Sequence, residues 1–198
     1  MDAAVIATTF ALVFFAELPD KTALASLVLA TKFRPVHVFA GAASGFAVQV
    51  GIALGAGSLL ALLPHRTLEA VVAGLFLIGA VLILRHGSEE ERESEEEEVA
   101  EAAKPSNSPW RAILTSFTVI TVAEFGDLTQ IVTANLAAKY DWLSVGVGAL
   151  VALWTVAALA ILGGQALLRV VPLKYIVRAA ALIMAALAVV SLVSAIQA

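Results

Sequence analysis

Residues 8–32 read TTFALVFFAELPDKTALASLVLATK, and residues 115–139 read TSFTVITVAEFGDLTQIVTANLAAK. Laid over each other at a step of 107 residues, they agree at Thr8/Thr115, Phe10/Phe117, Ala16/Ala123, Glu17/Glu124, Asp20/Asp127, Thr22/Thr129, Leu29/Leu136, Ala30/Ala137 and Lys32/Lys139. The register continues through Val38/Val145, Gly41/Gly148 and Gly57/Gly164. Alanine and leucine matches are cheap in an apolar chain. Matched Glu, Asp, Thr and Lys in one register are not, so the chain consists of two related halves, a known signature of transporter folds.

The surrounding composition says what kind of halves these are. Of 198 residues, 61% are hydrophobic and 14% charged, against about 45–50% and about 25% in ordinary soluble domains. Six windows are apolar enough to cross a hydrocarbon core, which takes roughly 20 residues each: about Val5–Ala30, Val36–Leu62, Leu68–Leu84, Trp110–Ala137, Leu143–Val170 and Leu173–Ile196. The expected fold is an all-α integral membrane protein of six transmembrane helices. Residues 1–86 form a first three-helix repeat and 110–198 a second, joined by an acidic, disordered linker over 87–109. An odd number of spans per repeat makes the second half enter from the opposite face, so the repeats are inverted.

Charge placement predicts the orientation. The linker holds nine Glu against Arg92 and Lys104, so the low overall pI describes one segment. With six spans, Lys32, Arg34, Arg85, Arg92, Lys104, Arg111, Arg169, Lys174 and Arg178 fall on one side, and only Arg66 and Lys139 on the other. The positive-inside rule puts the first side in the cytoplasm, with both termini outside and the protein in the cell membrane. The start of the chain has no positive n-region and its apolar run is too long for a leader, so it is expected to be a retained span. Basic residues are few and never interleaved with aromatics, which excludes a nucleic-acid surface. Without cysteine there is no disulfide, thiolate metal site or redox motif. A Gly-x-x-x-x-Gly-Lys-Ser/Thr nucleotide motif is absent, and the chain is expected not to be an enzyme or to need a resident cofactor.

The chemistry lies in Ala16-Glu17-Leu18-Pro19-Asp20-Lys21-Thr22 and Ala123-Glu124-Phe125-Gly126-Asp127-Leu128-Thr129-Gln130. In each, Glu and Asp stand three apart and share a helix face, with a helix-weakening Pro19 or Gly126 between them. A break there releases backbone carbonyls, which is tolerated at membrane depth only where the chain lines a cavity. Glu17 lies 12 residues past Val5 and Glu124 lies 11 past Ile113, or about 16–18 Å along a helix, so the pairs should meet near the midplane. Of 16 acidic residues, nine are in the linker and four are these. A mid-bilayer carboxylate costs roughly 3 kcal/mol on insertion scales, so four together indicate function.

Carboxylates of Glu17, Asp20, Glu124 and Asp127, hydroxyls of Thr22 and Thr129, and the Gln130 amide make a hard-oxygen set suited to Mn2+, Ca2+ or Mg2+ rather than to soft ions. The same four carboxylates can hold protons that an entering cation expels. With Lys21 balancing one charge, the site is formally −3, and −1 with a divalent ion bound. One carboxylate is therefore expected to keep its proton in the cation-bound state.

These paired motifs resemble the small membrane proteins related to the Golgi-type Mn2+/Ca2+ exchanger, transmembrane protein 165. That family carries two copies of Glu-x-Gly-Asp-Lys/Arg-Thr/Ser in an inverted six-span repeat around an acidic central loop, and the resemblance covers essentially the whole chain. It implies proton-coupled antiport of Mn2+ or Ca2+, with Mn2+ export in bacterial members. Glu17, Asp20, Lys21 and Thr22 match the first motif, and Glu124, Asp127 and Thr129 the second. Pro19 stands in place of the usual Gly, and Leu128 in place of the usual basic residue. The lost charge bears on stoichiometry and ion preference.

Plainer explanations compete at several positions. The carboxylates could be structural ion pairs, but Lys21 is the one cation within a span to pair with them. Lys21 itself serves as a salt-bridge partner at least as readily as in transport. Thr22 and Thr129 suit capping of broken helices as well as ligation. Gln49 and Gln165 are explained by hydrogen bonding between helices. Two other functions use an acidic cavity: export of small organic cations, and a passive divalent-cation channel that needs no proton counterflow.

Overall fold

Helix ends fall where the sequence changes character. The computed structural model describes residues 1–17, 21–85, 99–101, 103, 108–170 and 173–197. Its main helices are α1 (Ala3–Glu17), α2 (Lys21–Lys32), α3 (Pro35–Leu60), α4 (His65–Arg85), α5 (Pro109–Ala123), α6 (Leu128–Lys139), α7 (Trp142–Val170) and α8 (Leu173–Gln197), and no strand occurs among the described residues. Pro35 and Pro109 open α3 and α5 in the first turn, where a missing N–H costs nothing. The 107-residue register extends to these boundaries: α2 and α6 run 21–32 and 128–139, and α3 and α7 begin at 35 and 142.

The fourth predicted span is two helices, α5–α6, divided at the second motif, and the first is described as α1 and α2, with residues 18–20 between them outside the described residues. Two unbroken helices, Pro35–Leu60 and Trp142–Gly163, are long and apolar enough to cross a membrane. At 26 residues, α3 is about 39 Å long, more than the roughly 30 Å of a hydrocarbon core, so it would sit tilted. Val48, Ile52 and Leu59 on α3 and Val147, Val151 and Leu162 on α7 are all exposed. Such an apolar exterior suits lipid and would be a liability in water.

The halves interlock. Helix α3 packs along α5 and α6, α7 packs along α1 and α2, α3 meets α7, and α4 pairs with α8. Each half's long helix therefore lies on the other half's broken one. Small residues permit the approach. A methyl group added at Gly148 would lie 2.6 Å from the Ile6 carbonyl oxygen, 2.9 Å from Thr9 Cβ and 3.2 Å from Phe10 N. One added at Gly41 would meet the register-equivalent atoms of Ile113, Ser116 and Phe117. Val13, Phe46, Ile120, Ala149 and Leu153 form the central core, and Leu68, Val72, Phe76, Val132, Leu136 and Val145 a second.

Part of the linker expected over 87–109 is described. The acidic run Glu89–Glu98 lies outside the described residues, but 99–101 form a helical turn. Ala103 is buried with Leu29, Phe33, Val38, Ala112 and Ile161. After Glu98 the sequence turns to Val99 and alanines, which have apolar surface to bury and no charge to solvate.

Candidate cation site

The second motif explains its own geometry. Gly126 has φ +76°, a left-handed conformation that glycine adopts freely and other residues resist. Around it α5 unwinds: Phe125 N–H donates to Val122 O at 3.2 Å, and Asp127 N–H to Glu124 O at 3.1 Å. With Phe125 N–H diverted, the Thr121 carbonyl loses its i+4 partner. Asp127 then caps α6, its carboxylate accepting from Thr129 N–H at 3.2 Å. Of the two roles weighed for the threonines, the cap of α6 thus falls to Asp127.

Thr129 instead reaches across the break. Its hydroxyl lies 3.3 Å from Glu124 Oε2 and 3.4 Å from Asp127 Oδ2. With one proton to donate, it can serve either carboxylate. The first motif repeats the relation, the Thr22 hydroxyl donating to Glu17 Oε1. Glu17, Thr22, Glu124 and Thr129 are all buried, at 0%, 0%, 2% and 3% exposure.

The two motifs meet. One carboxylate oxygen each from Glu17, Glu124 and Asp127 lies within 4.8 Å of the others. At that separation each ionised pair repels by at least about 3.5 kcal/mol at an effective dielectric constant of about 20. A cation among them, or protons on them, relieves this. The N-terminus of α6 adds positive dipole potential beside Asp127. Asp20 and Pro19 lie outside the described residues, as do the side chains of Lys21 and Leu128.

Gln130 sits beside the cluster with its amide engaged: its Oε1 accepts from Gly126 N–H at 2.9 Å, and its Nε2 donates to Gln49 Oε1 at 2.6 Å. Gln49 Nε2 in turn donates to the Thr121 carbonyl. Phe125 is 73% exposed and Phe15 48%, so neither ring walls the carboxylates.

Gln49, expected to hydrogen-bond between helices, does so with Thr121 on α5 and Gln130 on α6, and so touches both sides of the break. Sequence reasoning passed over two other features. Asn135 on α6 is 1% exposed, and its amide atoms have no hydrogen-bond partner among the described residues; an Asn inside an apolar run was the available signal. Lys139 Nζ, at the end of α6, lies 2.6 Å from Glu69 Oε2 on α4 and 2.8 Å from Ser191 Oγ on α8. Both charges sit near span ends, and nothing in either stretch alone pairs them.

Comparison with known proteins returns the same division of the chain. The profile of the family described as "Divalent cation/proton antiporter GDT1" matches residues 5–91 and again 112–198, segments related by the same 107-residue step. A GDT1-like protein of Synechocystis is 30% identical over 164 residues, covering 78% of this chain and 80% of the relative. The chloroplastic protein PAM71 of Arabidopsis thaliana is 30% identical over 181 residues, 81% of this chain but 49% of the relative, so the chain spans about half of that protein. A chloroplastic GDT1-like protein 1 of Oryza sativa subsp. indica is 41% identical over 83 residues, 41% of this chain and 24% of the relative. No solved structure matches.

Proposed function

Because the chain belongs to the GDT1 family of divalent cation/proton antiporters, we propose that it exports Mn2+, or Ca2+, in exchange for protons through the Glu17–Glu124–Asp127 cluster. The observation that carries this reading is the convergence of three carboxylates from two broken helices to within 4.8 Å. Oxygen donors so placed suit a small hard divalent ion. They leave little room for an organic ammonium group, and the exposed Phe125 and Phe15 offer it no aromatic wall.

By the repeat register, Asp20 supplies the fourth carboxylate and Lys21 balances charge. Thr22 and Thr129 act as hydroxyl donors that follow the protonation of Glu17 and Glu124 and turn their oxygens to a cation when the protons leave. Gln130, an oxygen ligand on sequence grounds, also braces the loop: its Oε1 accepts from Gly126 N–H and keeps a second lone pair for a cation. Protons leave as the cation enters because the repulsion that holds them is cancelled by the ion's charge. Six spans in two inverted repeats place the cluster near the midplane, with termini outside and the acidic linker in the cytoplasm. Alternating access moves the interlocked helices so that the cluster faces each side in turn.

Proteoliposomes with an imposed pH gradient test this. Gradient-driven Mn2+ or Ca2+ movement that is abolished in Glu124→Gln is the expected result, and the faster ion identifies the substrate. Metal flux indifferent to the gradient would mean a channel. Uptake of a small organic cation with no metal flux would replace the metal reading.

A further inference from the structure

Glu124 and Asp127 owe their spacing to the four residues of irregular backbone they bound, 124–127, and one buried side chain from another helix holds both banks of that break. Gln49, on α3, is 3% exposed. Its Nε2 donates to the Thr121 carbonyl on α5, the acceptor freed by the break. Its Oε1 accepts from Gln130 Nε2 on α6 at 2.6 Å, and Gln130 Oε1 accepts from Gly126 N–H at 2.9 Å. The backbone dictates the polarity of the chain at both ends. Gly126 N–H can only donate and the Thr121 carbonyl can only accept, so each amide has one satisfactory orientation.

The first half has no such chain. At the 107-residue register, Gly126 corresponds to Pro19, which lacks an N–H. Gln130 corresponds to Ala23, and Gln49 to Val156. All three members are missing together, as expected if they work as one device. The two motifs, alike in their carboxylates, are therefore unlike in their support.

We propose that Gln49 is a positioning residue for cation binding: through Gln130 it fixes the turn at Gly126 and makes the second motif the preformed half of the site. This rests on the cation-site reading above. A side chain that orients a ligand-bearing loop typically changes metal affinity by about 10–100-fold when removed.

The test uses the full chain, purified in detergent and reconstituted. Mn2+ and Ca2+ dissociation constants, and KM and maximal rate under a fixed pH gradient, are measured for wild type, Gln49→Met, Gln130→Met and the double variant. Gln49→Met should weaken binding and raise KM by about 10–100-fold, with the maximal rate within about two-fold of wild type. The double variant should be no worse than the weaker single variant, because one chain is cut either way. A purely structural role would lower the melting temperature and leave the dissociation constant of the folded protein unchanged, and that result would overturn the proposal. Multiplicative effects in the double variant would also overturn it. Should Gln49→Met fail to fold, Gln130→Met at its half-buried position decides alone, an unchanged dissociation constant again being fatal. Wild type that binds neither ion would sink the cation reading itself. Wild-type binding with an unshifted Gln49→Met would sink only the inference.

Discussion

Gly148→Ala should damage transport from a position remote in sequence from the carboxylates of the cluster. The added methyl would sit 2.6 Å from the Ile6 carbonyl oxygen, where ordinary contact begins at 3.4 Å. Ile6 O and Phe10 N are helix backbone and Thr9 Cβ is fixed to it, so no side chain can swing aside, and α1 must retreat from α7 by about 0.8 Å or tilt. Overpacking of this kind costs about 1–3 kcal/mol, offset by about 1 kcal/mol of improved helix propensity. A net destabilisation of about 0–2 kcal/mol is expected in detergent unfolding. The functional effect should exceed the stability effect, because α1 ends at Glu17. Displacing a binding group by about 1 Å can cost about 100-fold, so KM for the cation should rise by about ten-fold or more. Gly41→Ala, which drives α5 off α3 at the equivalent contact, should do the same to Glu124. Gly51→Ala is the control: nothing lies within 4 Å of its added methyl, and it should be neutral or stabilising by up to about 1 kcal/mol. Wild-type stability and KM in both Gly148→Ala and Gly41→Ala would refute the packing.

Other residues give independent checks. Lys139→Met strips the partner from Glu69, whose side chain is 7% exposed; breaking such a pair costs about 3–5 kcal/mol, and the partial exposure of Lys139 puts the expected loss near about 3 kcal/mol in detergent unfolding, with Glu69→Gln restoring part of it. Thr129→Val removes the hydroxyl shared by Glu124 and Asp127, and a lost hydrogen bond to a charged group, about 1.5–3 kcal/mol, should raise the cation KM by about ten-fold or more. At the α6–α7 turn, hydrogen bonds from the Ser144 hydroxyl and backbone N–H hold the Asp141 carboxyl below its ordinary value of 3.8. A depressed folded-state value stabilises above the unfolded value and is lost as pH falls through the folded one. Asp141→Asn should therefore be less stable than wild type at neutral pH, with the gap closing below about pH 3.8 in pH-dependent thermal melts.

Much of this was legible in the chain because the informative residues are rare against their background. Four acids within apolar windows point to a candidate site, and three of them converge in the structure; Gly126 between two of them points to a turn. The 107-residue register carries to the ends of α2 and α6, at Lys32 and Lys139. What could not be read was lateral. Helix α3 is apolar on most sides, so its pattern does not tell which face meets α5, and the pairing of Gln49 with Gln130 depends on that. The Lys139–Glu69 pair likewise joins helices from different halves. An amide oxygen beside carboxylates marks Gln130 as a candidate ligand in the sequence; the hydrogen bond it accepts from Gly126 N–H follows from the shape of the turn. The linker was judged by its charge, and Ala103 was counted with it although alanine carries none.

The most direct test of cation–proton exchange at this cluster is proton release on binding. Calorimetric titration of the purified chain with Mn2+ and with Ca2+, in two buffers of different ionisation enthalpy, counts protons expelled per ion. Release on binding by wild type, sharply reduced in Glu124→Gln, is the predicted result. Tight binding with no proton release, or release unchanged by Glu124→Gln, would contradict it.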